Sequence, residues 1–284
     1  MIDLHSHSTV SDGTDTPTEI LRMAAGAGLS ALALSDHDTL LHLDEARAAA
    51  ERFGVRLVPA CEISCELDGR APGTMHLLVY FIEDPEGPLG SKLAAIQDSR
   101  VNRNTHIVDA LHRHGMGEVT VEEILEVAGG GTVGRPHIAD VMVRHGYVES
   151  NQEAFDHWLA KGKPAYVERL RLGPEEAIEL AHAEGAVTSL AHPFTLGLDD
   201  DALDAFVAEM AAAGLDALEC LYSTYSAEET EAVSALAARH GLARTGGSDY
   251  HGTYKPGLSI GTGRGDLVVP DEVLTELEAR RPAA

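Results

Sequence analysis

The chain opens MIDLHSHSTVSDG, which puts His5, His7 and Asp12 close together just behind a short apolar run. Imidazole nitrogens and carboxylate oxygens are donors that hold zinc, manganese or ferrous iron. In a β-strand, residues i and i+2 share a face, so a strand through IDLH points His5 and His7 the same way. A metal clasp and a plain polar segment both satisfy this fragment taken alone.

The same residue types recur at the ends of later predicted strands. SDHD places Asp36 and His37 at the end of the second, and CEIS places Glu62 at the end of the third. MHLL brings His76 at the start of the fourth, AHP brings His192 at the end of the fifth, and GSDYH brings Asp249 and His251 at the end of the last. A lone histidine is usually structural, but that reading weakens when such residues recur at corresponding positions. Nitrogen and oxygen donors of this number exceed one tetrahedral ion, so two or three divalent ions (manganese, zinc or iron) are expected. Paired ions about 3.5 to 4 Å apart lower the pKa of a shared water and steady the charge that builds on a phosphoryl group. Hydrolysis of a phosphate ester is the natural use of such a set.

The elements that must carry these residues alternate. The apolar runs IDLH, ALALS, VRLVPACEI, MHLLVYF, AVTSLAH, LDALECL and LARTGGSD read as strands. Helices are predicted from about Pro17 to Ala27, Leu43 to Phe53, Asp200 to Ala213 and Ala227 to Arg239. Such alternation favours an α/β fold with a parallel sheet or a (β/α) barrel, in which active groups collect at the carboxyl ends of strands. From Pro88 to about Ala183 the rhythm changes to helix upon helix, divided by GMG, AGGG and GKP. The expected organisation is a barrel from residues 1–87 and 184–284, with 88–183 inserted as helices over its mouth.

Composition bounds the partners. A formal net charge of −25 opposes a sequence-blind grip on duplex DNA, which depends on many phosphate contacts from Lys and Arg. A small phosphorylated ligand held by a local basic cluster remains compatible. No basic and apolar leader precedes Asp3, and no apolar run approaches the roughly 20 residues that cross a bilayer, so no membrane partner and a cytoplasmic location are expected. Cys61, Cys65 and Cys220 fit neither a paired disulfide framework nor a C-x-x-C zinc site and read as small buried residues.

Together, DLHSHSTVSDG, SDHDT, CEIS, AHP and GSDYHG resemble the polymerase and histidinol phosphatase (PHP) domain family, in the same order and as far as about Gly252. The resemblance implies a distorted seven-stranded (β/α) barrel with a trinuclear metal centre. Carried over residue by residue, it implies one ion held by His5, His7, Glu62 and Asp249, a second by Glu62, His76 and His192, and a third by Asp12, His37 and His251. Glu62 would then bridge two ions. His192 or His251, where not fully committed to metal, would assist the leaving group.

Within the insertion, Arg100 and Arg103 in QDSRVNRN share a helix face, where two guanidiniums suit phosphate oxygens and a solvated face is the plain alternative. Arg135 and His137 follow the Gly-rich AGGGTVG at a predicted helix start, where exposed amides favour an anion; an ordinary helix boundary is the alternative. GRPHIA and KGKPAYV resemble the PHP branch that removes the 3'-phosphate of nucleoside 3',5'-bisphosphates, with members that degrade short RNA from the 5' end. That resemblance implies phosphate contacts from Arg135 and His137, joined by Arg100, Arg103 and Lys163. Tyr166 either stacks on a base or packs beneath the insertion. Histidinol-phosphate phosphatases share the metal motifs, and a non-catalytic nucleotide-binding module is an answer of another class. The substrate-side motifs oppose the first, and the complete ligand set opposes the second. Oligomeric state is not legible.

Overall fold

Seven strands form one sheet in chain order: β1 (Ile2–Asp3), β2 (Ala31–Leu34), β3 (Arg56–Cys65), β4 (Met75–Tyr80), β5 (Val187–Leu190), β6 (Ala217–Tyr222) and β7 (Ala243–Gly247). This computed structural model describes residues 1–128, 134–168 and 170–282, apart from the side chains at 100 and 101. The Arg100 side chain and residues 129–133 of the AGGGTVG turn therefore lie outside the described residues.

The outer strands come back together. Leu4 N–H donates to Gly246 O at 3.1 Å, Asp249 N–H to His5 O at 2.8 Å and His7 N–H to Tyr250 O at 2.9 Å, which brings the end of β7 against the end of β1 and nearly closes a barrel. Strand β1 is shorter than the IDLH run, yet its line continues through the isolated parallel bridge of Ser6 with Tyr250. Close approach here depends on glycine: a Cβ on Gly247 would lie 2.4 Å from His5 N.

All neighbouring strands are parallel except β4, which runs antiparallel to both β3 and β5. The sequence periodicity shows no sign of this reversal. Its cause is the connection: residues 66–74 join β3 to β4 without a helix, and a parallel return needs a crossover of a dozen or more residues.

The helices, in chain order, are α1 (Pro17–Gly26), α2 (Leu43–Phe53), α3 (Pro88–Arg113), α4 (Val121–Ala128), α5 (Arg135–Arg144), α6 (Asn151–Ala154), α7 (Pro174–Ala183), α8 (Asp200–Ala212), α9 (Ala227–Arg239) and α10 (Asp271–Glu278). Helix α1 starts with a capping box in which the Thr16 hydroxyl accepts from Glu19 N–H and the Glu19 carboxylate accepts from Thr16 N–H, an arrangement worth about 1 kcal/mol. Both faces of β2 are buried, Ala31 and Ala33 in one apolar cluster and Leu32 and Leu34 in another against α1 and α2. The first cluster also takes Val273, Leu274 and Leu277 of α10.

Two compact units divide the chain, Met1–Ala94 with Arg171–Ala284 and, separately, Ala95–Leu170. Helix α7 belongs to the first of these, so the second is shorter than residues 88–183. The smaller unit has its own core, in which Ile107, Leu111, Ile124, Ile138, Met142 and Leu159 are buried. Among the described residues no helix is long and apolar enough to cross a membrane.

Candidate metal centre

The antiparallel course of β4 explains why a histidine at a strand start joins residues at strand ends. His76 pairs in register with Ser64 of β3, so the beginning of β4 lies beside the carboxyl end of its neighbour. Glu62 is not at the end of β3 as its place in CEIS suggested; the strand runs on to Cys65. His192 and Asp249 follow β5 and β7 with φ of 26° and 51°, left-handed conformations that cost a non-glycine residue on the order of 1 to 3 kcal/mol and are typical of functional positions.

All nine predicted ligands converge in four overlapping groups: His7, Asp12, His37 and His251; His5, Glu62 and His192; His5, His7 and Asp249; His37, Glu62 and His76. Glu62 is central and divides its oxygens. Its Oε2 lies 3.2 Å from His5 Nε2, 3.1 Å from His7 Nε2 and 3.3 Å from His37 Nδ1, while its Oε1 lies 3.0 Å from both His76 Nδ1 and His192 Nε2. Asp249 Oδ1 stands 3.4 Å from His7 Nε2 and 3.5 Å from His5 Nε2. Asp12 Oδ1 is 3.4 Å from His251 Nε2, and its Oδ2 is 3.7 Å from His37 Nε2.

Surrounding hydrogen bonds fix the imidazoles. His5 Nδ1–H donates to Glu219 Oε1 at 2.8 Å, His251 Nδ1–H to Asp249 O at 2.9 Å and His192 Nδ1–H to Thr195 Oγ1 at 3.0 Å. Each of these rings therefore aims Nε2 and its lone pair into the cluster, as a metal ligand held by an outer partner does. His5 Nε2 and His7 Nε2 face each other at 3.1 Å. Two lone pairs so placed repel unless a proton or a cation lies between them. His7 Nδ1, His37 Nδ1 and Asp249 Oδ1 are buried without a hydrogen-bond partner. Carboxylates buried this deeply need compensating positive charge, and the donor set fits divalent ions.

Titration behaviour follows from this crowding. Burial alone depresses His5, but the carboxylates of Glu219, Glu62 and Asp249 overturn it and hold the ring well above its usual value. His7, also opposed by burial, is pushed up to about 9 by the adjoining carboxylates of Asp249 and Glu62. Burial dominates at His37, which falls to about 4. Glu62 is held well below the carboxylate range, against its own burial, by His5, His37 and His192.

Glu219 was missed. It is fully buried in β6, orients His5 and also accepts the His192 N–H at 2.7 Å. Its signal was a carboxylate in the middle of the apolar stretch ALECL. Asp36, named at a strand end without a role, accepts from Ser8 N–H at 2.8 Å, Ser8 Oγ at 2.7 Å and Ser11 Oγ at 2.6 Å, and so anchors the loop that carries Asp12.

The remaining candidates lie in the Ala95–Leu170 unit. Arg135, the first residue of α5, donates to Leu159 O at 2.9 Å, and its guanidinium lies 5.6 Å from the ring centres of both Phe155 and Tyr166. Tyr166 thus contacts an arginine. His137 Nδ1 accepts from Gly134 N–H at 3.1 Å, which leaves Nε2 to carry the proton of the neutral ring. Arg103 Nε donates to Val167 O at 3.0 Å, and Lys163 is exposed.

Among known proteins, the PHP domain family model matches residues 3–161. A 3',5'-nucleoside bisphosphate phosphatase of Chromobacterium violaceum is 31% identical over 99% of both chains. A 5'-3' exoribonuclease of Haemophilus influenzae is 30% identical over 88% of this chain and 89% of its own. A crystal structure from Bifidobacterium adolescentis, described as a metal-dependent phosphoesterase, superposes with a TM-score of 0.67 at 32% identity, covering 99% of this chain and 96% of that one. With a nearly closed seven-stranded barrel and a buried histidine and carboxylate cluster, this chain belongs to the PHP domain family.

Proposed function

We propose that this protein is a metal-dependent phosphoesterase that removes the 3'-phosphate of nucleoside 3',5'-bisphosphates, for example converting adenosine 3',5'-bisphosphate to AMP, and that short 5'-phosphorylated RNA is a second substrate. The observation that carries the reading is Glu62, buried at the centre of the cluster with one oxygen toward His5 and His7 and the other toward His76 and His192. The names of the bacterial relatives support the substrate class.

In this reading His5, His7, Glu62 and Asp249 hold one ion, Glu62, His76 and His192 a second, and Asp12, His37 and His251 a third, with two the minimum for activity. Manganese, zinc and iron all suit these donors. Divalent ions there supply Lewis acidity, activating water and offsetting the charge that develops on phosphorus. Glu62 would serve two of them, with Oε2 toward His5 and His7 and Oε1 toward His76 and His192. Glu219 keeps His5 in the tautomer that offers Nε2 inward, and Asp36 holds the Asp12 loop. Arg135 presents a guanidinium already restrained by Leu159 O, which reduces the entropy lost on gripping a phosphate. His137 Nε2–H, Arg103, Lys163 and Arg100 supply the remaining phosphate contacts, and His192 or His251 assists the departing ribose oxygen.

Phosphate release tests the reading. Protein loaded with Mn²⁺ is expected to release phosphate from adenosine 3',5'-bisphosphate, to shorten 5'-phosphorylated oligoribonucleotides and to lose both activities to a chelator. Inertness toward both substrates, with histidinol phosphate turned over instead, overturns the substrate assignment. An inert protein that binds the nucleotide but no transition metal is a binding module.

A further inference from the structure

Asp249 has two unlike oxygens. Its Oδ2 accepts the Tyr222 hydroxyl at 2.6 Å and pairs with Lys255 Nζ, whereas Oδ1 has no hydrogen-bond donor and faces His5 and His7. Tyr222 ends β6, and Lys255 follows the short turn Gly252–Tyr254. Two separate segments thus converge on one oxygen of a carboxylate that is 1% exposed. Neither residue is among the predicted ligands.

We infer that Tyr222 and Lys255 are positioning residues that keep Asp249 a one-oxygen ligand. The inference rests on the metal reading given above. A free carboxylate beside a divalent ion can chelate with both oxygens. Here that would break a charge-assisted pair and a short hydroxyl hydrogen bond, and hydrogen bonds to charged groups are the strong ones. Restricting Asp249 to Oδ1 leaves a coordination position for water or substrate. The ammonium also draws charge from the carboxylate, so the ion polarises its other ligands more strongly. Tight metal binding and fast turnover are therefore opposed at this residue.

That opposition separates the role from a merely structural one. A Tyr222→Phe, Lys255→Met double variant, loaded with Co²⁺, is expected to hold the metal at least as tightly as the parent in competition with a chelator. Its visible absorption is expected to weaken, because intensity falls as coordination number rises. Turnover number is expected to fall about 10-fold, the lower end for loss of an outer partner of a metal ligand. KM should stay within about twofold, and the acid limb of the pH–rate profile should move to higher pH. Lys255→Arg restores the parental spectrum and rate. Should the double variant fail to fold, each single variant is measured in the same way. Loss of Co²⁺ affinity together with activity overturns the inference, as does a spectrum and rate equal to the parent's. Affinity and spectrum are read without substrate, so they still decide the matter if the nucleotide substrates are refused.

Discussion

The barrel unit and the helical unit hold their functional side chains by different means. In the barrel, His5, His192 and His251 each spend one ring nitrogen on an outer partner, and Glu62 and Asp249 are about 1% exposed among them. In the helical unit, Arg135 rests on one carbonyl and two aromatic rings, His137 accepts one backbone N–H, and Lys163 is exposed. On the function proposed above, buried donors oriented by outer partners suit ions that must not shift, whereas lightly held cations suit a substrate that enters and leaves. The first arrangement should fail abruptly when one member changes; the second should weaken by degrees.

The largest effect is expected at Glu62. Glu62→Gln keeps the shape but removes the charge shared by His5, His7, His76 and His192, and should lower the rate by about 10³-fold, roughly 4 kcal/mol, with loss of bound metal measured on the same sample. Retained metal and activity would dissolve the contrast between the units.

Next in size is a pH effect on chelated protein. His7 is raised from 6.5 to about 9 in the fold, so its contribution is complete below pH 6.5 and is lost as pH rises through 9. Urea unfolding of the metal-stripped protein should therefore show a loss of about 3 kcal/mol from this group between pH 6 and pH 9. With metal restored the loss should shrink, since ions replace the protons.

The residues of the candidate metal centre stood out because chemistry and fold repeat the same signal: a polar donor breaks an apolar run at strand after strand, from LHSH to GSDYH. Helix ends were legible for local reasons, and α2 and α9 span the predicted residues because caps and apolar spacing act within a few positions. The reversal of β4 was not, since a strand's direction leaves no mark on its own composition. Nor was Glu219, whose role exists only because β6 passes behind His5, 214 positions away in the chain. The role of Gly247 was hidden too: LARTGGSD reads as a strand and Gly247 lies in β7, but nothing local shows that a Cβ there would strike the His5 backbone. Long-range packing gave these residues their meaning, and one sequence does not contain it.

Arg135→Ala should act more mildly than Glu62→Gln and on another parameter. Loss of one guanidinium contact to phosphate costs about 2 kcal/mol, or roughly 30-fold in kcat/KM, carried mainly by KM, with metal content unchanged. A fall in metal content would tie this arginine to the cluster and break the division of labour.

The smallest effect sharpens the comparison furthest, because it tests stability in the helical unit alone. Ile138 is fully buried on α5, one residue beyond His137, in a core with Val141 and Met142. Ile138→Val removes one methylene and leaves little room for collapse, so it should cost about 1 kcal/mol. If the helical core is independently built, this shows as a shift of a few degrees in thermal unfolding, while metal stoichiometry and chelator resistance stay at parental values. A methylene lost from α5 that released metal from the barrel would mean that the two cores share their stability, and that the ligands are held by more than the barrel's own hydrogen bonds.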